Sequence, residues 1–248
     1  MMQTIQVKVK RQNGPQEKPF WEEFKIPYKS NLNVISLLMY IAKNPVNSKG
    51  EKTTPVVYES NCLEEVCGAC SMVINGKARQ ACTALVDSLA QPITLEPLDK
   101  FPLVRDLFVD RTALFDALRK VKAWVDIDGT FNLGPGPKTT PKVQEKRYDL
   151  SRCMTCGVCS QVCPNYNTKT SFIGPHAVAQ ADLFNLHPVG GNIKEERFKA
   201  LMDKGGIMEC GNSQNCVRAC PKEIPLTQSL AELKRQATWH SIKSLFTK

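Results

Sequence analysis

Eleven cysteines constrain this chain more than any other feature, because they fall into three tight groups. The first is Cys62, Cys67, Cys70 and Cys82; the second is Cys153, Cys156, Cys159 and Cys163; the third is Cys210, Cys216 and Cys220. Residues 83–152 contain none and divide the first group from the others. The opening residues, MMQTIQVKVKRQNG, alternate polar and apolar and lack the apolar core of a secretory leader, so the expected location is the cytoplasm. A reducing compartment disfavours a disulfide framework, and an odd number of thiols leaves one unpaired. Metal ligation is the remaining general use for so many cysteines.

The first group reads C-x4-C-x2-C-x11-C, and its opening is the plant-type [2Fe–2S] ferredoxin spacing. A short loop must wrap a compact cluster with three thiolates pointing inward. Gly68, between Cys67 and Cys70, lets the backbone approach without a side chain in the way. Cys82 arrives from beyond an Asn75-Gly76 turn. A zinc site is the alternative, although zinc more often uses two C-x2-C pairs; reduced structural cysteines are the other.

The second group, C-x2-C-x2-C-x3-C-P, is the bacterial ferredoxin run, with Pro164 turning the chain away from the site. The third is the same run with its second cysteine replaced by Ser213. In two-cluster ferredoxins the fourth cysteine of each run ligates the other cluster. That rule joins Cys153, Cys156, Cys159 and Cys220 around a [4Fe–4S] cluster. It joins Cys163, Cys210 and Cys216 around a second, three-thiolate site, which most simply lacks one iron and is [3Fe–4S]. A Ser213 alkoxide could hold a fourth iron, but serine is a poor ligand at neutral pH. Every cysteine is then used.

This allocation changes the meaning of the formal charge of +9. Eleven thiolates offset by the oxidised iron–sulfide cores bring about −6, leaving the loaded protein near +3. Non-specific nucleic-acid binding, the plain reading of a basic chain, loses its support, and no RNP-like or helix-turn-helix signature restores it. No nucleic-acid partner is expected. The longest apolar run, residues 34–42, is too short to span a bilayer.

The 248 residues suffice for one or two domains with buried cores. Ile5, Val7 and Val9 alternate with polar neighbours as a half-buried strand does, and residues 20–26 make a plausible partner. Asn33 can cap a helix with Val34, Leu37, Leu38 and Ile41 on its apolar face, ended by Asn44-Pro45. Residues 71–74 and 77–82 form a hairpin about Asn75-Gly76, and residues 93–95 read as the last strand. From about Val104 the pattern turns helical: Leu107, Leu114, Leu118 and Val121 are spaced for one face, and residues 177–186, 194–204 and 226–242 read as further helices. The Gly/Pro-rich stretch 129–141 is an interdomain linker or a long loop.

Taken together, the segment NCLEEVCGACSMVINGK at 61–77, the run at 153–164 and CGNSQNCVRACP at 210–221 resemble the iron–sulfur subunits of succinate dehydrogenases and fumarate reductases. The resemblance runs over nearly the whole chain and looks closest to the menaquinone-linked type of Gram-positive bacteria. It implies an α+β architecture: an N-terminal β-grasp, plant-type [2Fe–2S] ferredoxin domain at 1–108 and a C-terminal α-helical, bacterial-type ferredoxin domain at 109–248 binding [4Fe–4S] and [3Fe–4S]. The 129–141 stretch would then be a loop of the second domain. The implied partners are an FAD-containing flavoprotein subunit and a membrane anchor that binds quinone and haem b. The implied location is the cytoplasmic side of the cell membrane, peripheral and held by that anchor. Such a chain relays electrons one at a time from the flavin to menaquinone through [2Fe–2S], [4Fe–4S] and [3Fe–4S] in turn, and has no catalytic site of its own. Two positions depart from ubiquinone-linked members: Thr168 stands where those have a quinone-contacting tryptophan, and Gly211 where those have a histidine. No quinone ligand is carried over.

Other readings are fumarate reduction through the same relay, a freely diffusing ferredoxin-like carrier, an iron–sulfur subunit of a heterodisulfide-reductase-like or glycolate-oxidase-like complex, and a zinc-binding interaction protein. Complexes of the third kind typically keep two complete runs, against which Ser213 and the [2Fe–2S]-type group speak. No G-x-G-x-x-G occurs, so FAD and NAD are not expected on this chain. His176, His187 and His240 lie away from the cysteine groups and read as surface or packing residues. Basic residues between 111 and 122 form a solvated helical face or a docking surface.

Overall fold

The computed structural model describes residues 3–126 and 137–246, with side chains of 243–246 left aside. Most of the Gly/Pro-rich stretch, 129–136, lies outside the described residues. The chain divides into two compact units, one running to Arg111 and also including Met154–Gln161, the other comprising Thr112–Cys153 and the residues from Val162 onward.

The first unit is built on a five-stranded mixed sheet. Strands β1 (Thr4–Arg11) and β2 (Phe20–Pro27) pair antiparallel, with Ile5 opposite Ile26 and Val7 opposite Phe24. Their alternation puts Ile5, Val7, Val9, Phe24 and Ile26 on one buried face. Helix α1 (Val34–Lys43) covers that face with Val34, Leu37, Leu38 and Ile41, and the Asn33 side chain accepts the Ser36 N–H at 2.9 Å as its N-cap. Strands β3 (Ser71–Ile74) and β4 (Lys77–Gln80) form the expected hairpin, with Asn75 and Gly76 both at positive φ. Strand β5 (Ile93–Glu96) completes the sheet in the order β2-β1-β5-β3-β4, parallel to β1 and antiparallel to β3. This is the β-grasp arrangement.

Two expectations about this region need correction. Residues 93–95 are not the last strand: β6 (Leu103–Arg105) and β7 (Phe108–Val109) follow as a small hairpin. Leu107 therefore belongs to no helix; it sits in that hairpin's turn and packs into the first core. Asp106 in the same turn is fully buried against the equally buried Arg11, with Nε–Oδ1 at 3.2 Å and Nη2–Oδ2 at 3.0 Å. Glu22 takes a further Arg11 N–H at 2.6 Å, so this desolvated charge is paired on two sides.

The second unit is helical. Helices α2 (Thr112–Lys120), α3 (Pro141–Ser151), α5 (Pro175–Leu186), α6 (Lys194–Met202), α7 (Asn215–Ala219) and α8 (Leu226–Phe246) make it up, while the short α4 (Val158–Gln161) belongs to the first unit. Helix α5 is buried almost all round over Pro175–Ala181, which marks it as the central helix rather than a surface one. Its Ala177, Val178 and Ala181 meet Phe198, Leu201, Leu230 and Leu233 in the second core. Buried Arg197 donates to the carbonyls of Lys122 at 2.9 Å and Trp124 at 2.8 Å, tying down the chain that leaves α2. Among the described residues no helix is long and apolar enough to cross a membrane.

Candidate metal centres

All eleven cysteines are free of disulfides. Among the described residues no three His, Cys, Asp or Glu side chains converge as they would around a single metal ion. The loop that carries Cys62, Cys67 and Cys70 has no regular secondary structure, and Leu63, Glu65 and Gly68 take positive φ of 62°, 59° and 73°. Those left-handed steps turn successive backbone N–H groups inward. Cys62 Sγ receives the N–H groups of Glu64 at 3.5 Å, Val66 at 3.2 Å and Cys67 at 3.3 Å. The three donors stabilise a thiolate and pull the Cys62 pKa down to about 7. Cys67 Sγ receives the Ala69 N–H at 3.4 Å. Buried Cys70 and Cys82 lie on the sheet side, where burial, and then the neighbouring Cys70 thiol, push Cys82 up to about 11.

The residues around these thiols fit a four-thiolate cluster. Gln80 is fully buried beside Cys70, with Oε1 3.7 Å from Cys70 Sγ and 3.0 Å from Ser71 Oγ, while Nε2 has no partner. Ser71 has one hydroxyl hydrogen, already donated to the Gly68 carbonyl at 2.7 Å. Turning the Gln80 amide over resolves the clash of acceptors at Ser71: Nε2 then donates to Ser71 Oγ and faces a Cys70 thiolate. Gly68 is the second mark of fit. A Cβ there would lie 2.7 Å from Cys156 Cβ and 2.8 Å from Cys156 Cα, so the loop backbone rests directly on a cysteine of the second group.

Of that second group, Cys156 and Cys159 belong to the first unit. Lys100 N–H donates to Gln161 Oε1 at 3.3 Å, fixing α4, on which Cys159 is buried. Cys153, just after α3, and Cys220, the C-cap of α7, belong to the second unit. Cys163, Cys210 and Cys216 are brought together there: burial pushes the Cys216 thiol up, and the nearby Cys163 and Cys210 push it further. The Asn215 side-chain amide donates to the Val162 carbonyl at 3.1 Å, and Lys234 Nζ to the Cys210 carbonyl at 3.2 Å, so α7 and α8 hold both ends of that set. Ser213 lies in an exposed turn between Asn212 and Gln214, both at positive φ. A Cβ at Gly211 would come 2.9 Å from Asn165 Oδ1, which leaves no room there for a histidine without moving Asn165.

Three residues beside the first site escaped the sequence reading: Gln80, Ser71 and Arg111. The basic face at 111–122 is largely used internally: Lys120 pairs with Asp203 at 3.4 Å, Arg119 with Asp116 at 3.2 Å, and Lys122 with Glu196. Arg111 reaches Gly68 and Glu59 instead. Of the histidines, His176 is buried with Nε2 3.0 Å from the Leu114 carbonyl, His187 Nδ1 accepts the Gly190 N–H at 3.1 Å, and His240 pairs with Glu195.

Comparison with known proteins agrees with this geometry. A family model described as a 2Fe-2S iron-sulfur cluster binding domain matches residues 6–116, and one described as a 4Fe-4S dicluster domain matches residues 149–224. The chain is 59% identical to the succinate dehydrogenase iron-sulfur subunit of Bacillus subtilis, covering 98% of this chain and 96% of that one. It is 28% identical to the fumarate reductase iron-sulfur subunit of Haemophilus influenzae, covering 84% and 82%. A chain of the Mycobacterium smegmatis Sdh1 complex in the apo form shares the fold, with a TM-score of 0.82 at 20% identity, covering 97% and 98%.

Proposed function

The chain belongs to the iron–sulfur subunits of succinate dehydrogenases, and from that premise we propose how its residues serve the relay. It is an electron-transfer subunit that works in a complex with an FAD-bearing flavoprotein and a quinone-binding membrane anchor. When bound, its [2Fe–2S], [4Fe–4S] and [3Fe–4S] clusters accept and release single electrons, which matches a two-electron flavin to a quinone. Cys62, Cys67, Cys70 and Cys82 hold the first; Cys153, Cys156, Cys159 and Cys220 the second; Cys163, Cys210 and Cys216 the third. The observation that carries the reading is the convergence of three backbone N–H groups on Cys62 Sγ. Such donors favour thiolate over thiol and spread its charge, as a cluster ligand requires.

The rest of the chain positions and insulates. Cys70, Cys82, Cys159, Cys163 and Cys216 are buried, which keeps water from their sulfurs. The Gly68–Cys156 approach supplies a short through-protein step from the first group to the second. A domain boundary at residues 108–109 is supported by the end of the first family match at residue 116 and by the break between units after Arg111. The subunit sits peripherally on the cytoplasmic side of the cell membrane, held by the anchor. The quinone is menaquinone, in keeping with Thr168 and Gly211. Fumarate reduction would use the same residues in reverse; the fumarate reductase relative is the more distant one, at 28% identity against 59%.

The test is chemical analysis of the native complex, followed by addition of succinate. About nine irons per chain, with matching acid-labile sulfide and bleaching of the cluster absorption by succinate, are expected. Stoichiometric zinc without sulfide, or clusters that succinate cannot reduce in the presence of the flavoprotein, would refute the reading.

A further inference from the structure

Gly68 lies at the tightest point of the first cysteine loop, and its carbonyl is held by two donors at once. Arg111 Nη1 donates to it at 2.6 Å and Ser71 Oγ at 2.7 Å. The other end of the Arg111 fork, Nη2, is held by Glu59 Oε2 at 2.8 Å. The Arg111 side chain is only 15% exposed, so its charge acts through protein more than through water. In a planar trans peptide the C=O and the following N–H point in opposite directions. Pinning the Gly68 carbonyl therefore aims the Ala69 N–H the other way, and that N–H meets Cys67 Sγ at 3.4 Å.

We propose that Arg111 is a positioning residue for the [2Fe–2S] centre: with Ser71 it fixes and polarises the Gly68–Ala69 peptide, presents its N–H to the Cys67 thiolate, and raises the centre's reduction potential. The inference rests on the reading of Cys62, Cys67, Cys70 and Cys82 as that centre's ligands. Reduction adds one electron and no proton, and the new negative charge is shared with the sulfurs. A hydrogen bond on a carbonyl draws charge from the peptide and makes its N–H a stronger donor, so the reduced state gains more than the oxidised one. The guanidinium charge acts in the same direction. Glu59 opposes it, since its carboxylate partly cancels that charge. A brace that merely kept the loop folded would have no such signed dependence on Glu59.

The experiment is a redox titration of the assembled complex, followed by the electron paramagnetic resonance signal of the reduced [2Fe–2S] centre. Arg111→Gln is expected to lower the midpoint, Arg111→Lys to lie between Gln and wild type because it restores the charge without the fork, and Glu59→Gln to raise it. An Arg111→Gln midpoint equal to wild type, with the signal intact, overturns the proposal. Should Arg111→Gln fail to assemble the centre, Glu59→Gln decides: a higher midpoint supports the role and an unchanged or lower one overturns it. Wild-type protein with no [2Fe–2S] signal would instead overturn the ligand reading beneath it.

Discussion

His176 lies inside the helical unit with its Nε2 on the Leu114 carbonyl, and burial lowers its pKa from 6.5 to about 4. The folded state therefore keeps it neutral where the unfolded chain has already taken a proton. The associated stability is complete above about pH 6.5 and is lost as pH falls toward about 4, amounting to roughly 3 kcal/mol at the acid end. Replacing His176 with Gln, which can still donate to Leu114, is expected to flatten that stretch of the melting-temperature profile; an identical slope in the variant would place the acid sensitivity elsewhere. Ser213 is the other residue with a sharp consequence. Cysteine at 213 offers a fourth thiolate to the Cys163, Cys210 and Cys216 set, and the site should then assemble [4Fe–4S] in place of [3Fe–4S]. The oxidised variant is expected to lose the paramagnetic three-iron signal. Retention of the full signal would mean that the exposed turn about residue 213 cannot bring a thiolate to the site.

At the scale of elements, the loop from Cys62 to Cys70 depends on Gly68 twice, for its φ of 73° and for its lack of a Cβ. Gly68→Ala strains the backbone by about 1–2 kcal/mol and forces the Cys156 backbone to yield. Lower iron content and a lower melting temperature are expected together; wild-type values for both would remove the close approach from the account. The strands of the first unit were legible from alternation, and α1 from its Asn33 cap, because each buries one face against a local partner. The β6–β7 hairpin was not: Leu107 shares a helical spacing with Leu114, Leu118 and Val121, yet it packs into the first core while Leu114 and Val121 are buried in the second unit. Helix α3 was missed because its sequence, PKVQEKRYDLS, buries only Leu150 and shows no apolar stripe. Its start was nonetheless marked, by Thr140 as N-cap and Pro141 at the first turn. The three cysteine groups were visible from spacing alone, since the members of each group lie close together in the chain. Arg111 could not be tied to them, because it meets Gly68 across 43 residues of chain.

Across the whole molecule, the eleven cysteines, two ferredoxin-type families matched in series and a succinate dehydrogenase relative at 59% identity describe one object, the iron–sulfur subunit of an electron-transfer complex. Its function exists only in the complex, so purification should carry a flavoprotein and a membrane anchor along with this chain. The charge of +9 on the bare polypeptide falls to about +3 once the clusters are counted, which makes the loaded protein far less basic than its sequence. The central claim is that the three cysteine groups hold three different clusters, and electron paramagnetic resonance of the native complex tests it most directly. Among the iron–sulfur centres, the oxidised protein is predicted to show only the [3Fe–4S] signal, distinct from that of ferric haem in the anchor, and the reduced protein to add the signals of [2Fe–2S] and [4Fe–4S]. An oxidised protein with no [3Fe–4S] signal, or a reduced protein lacking either of the other two, would contradict the account.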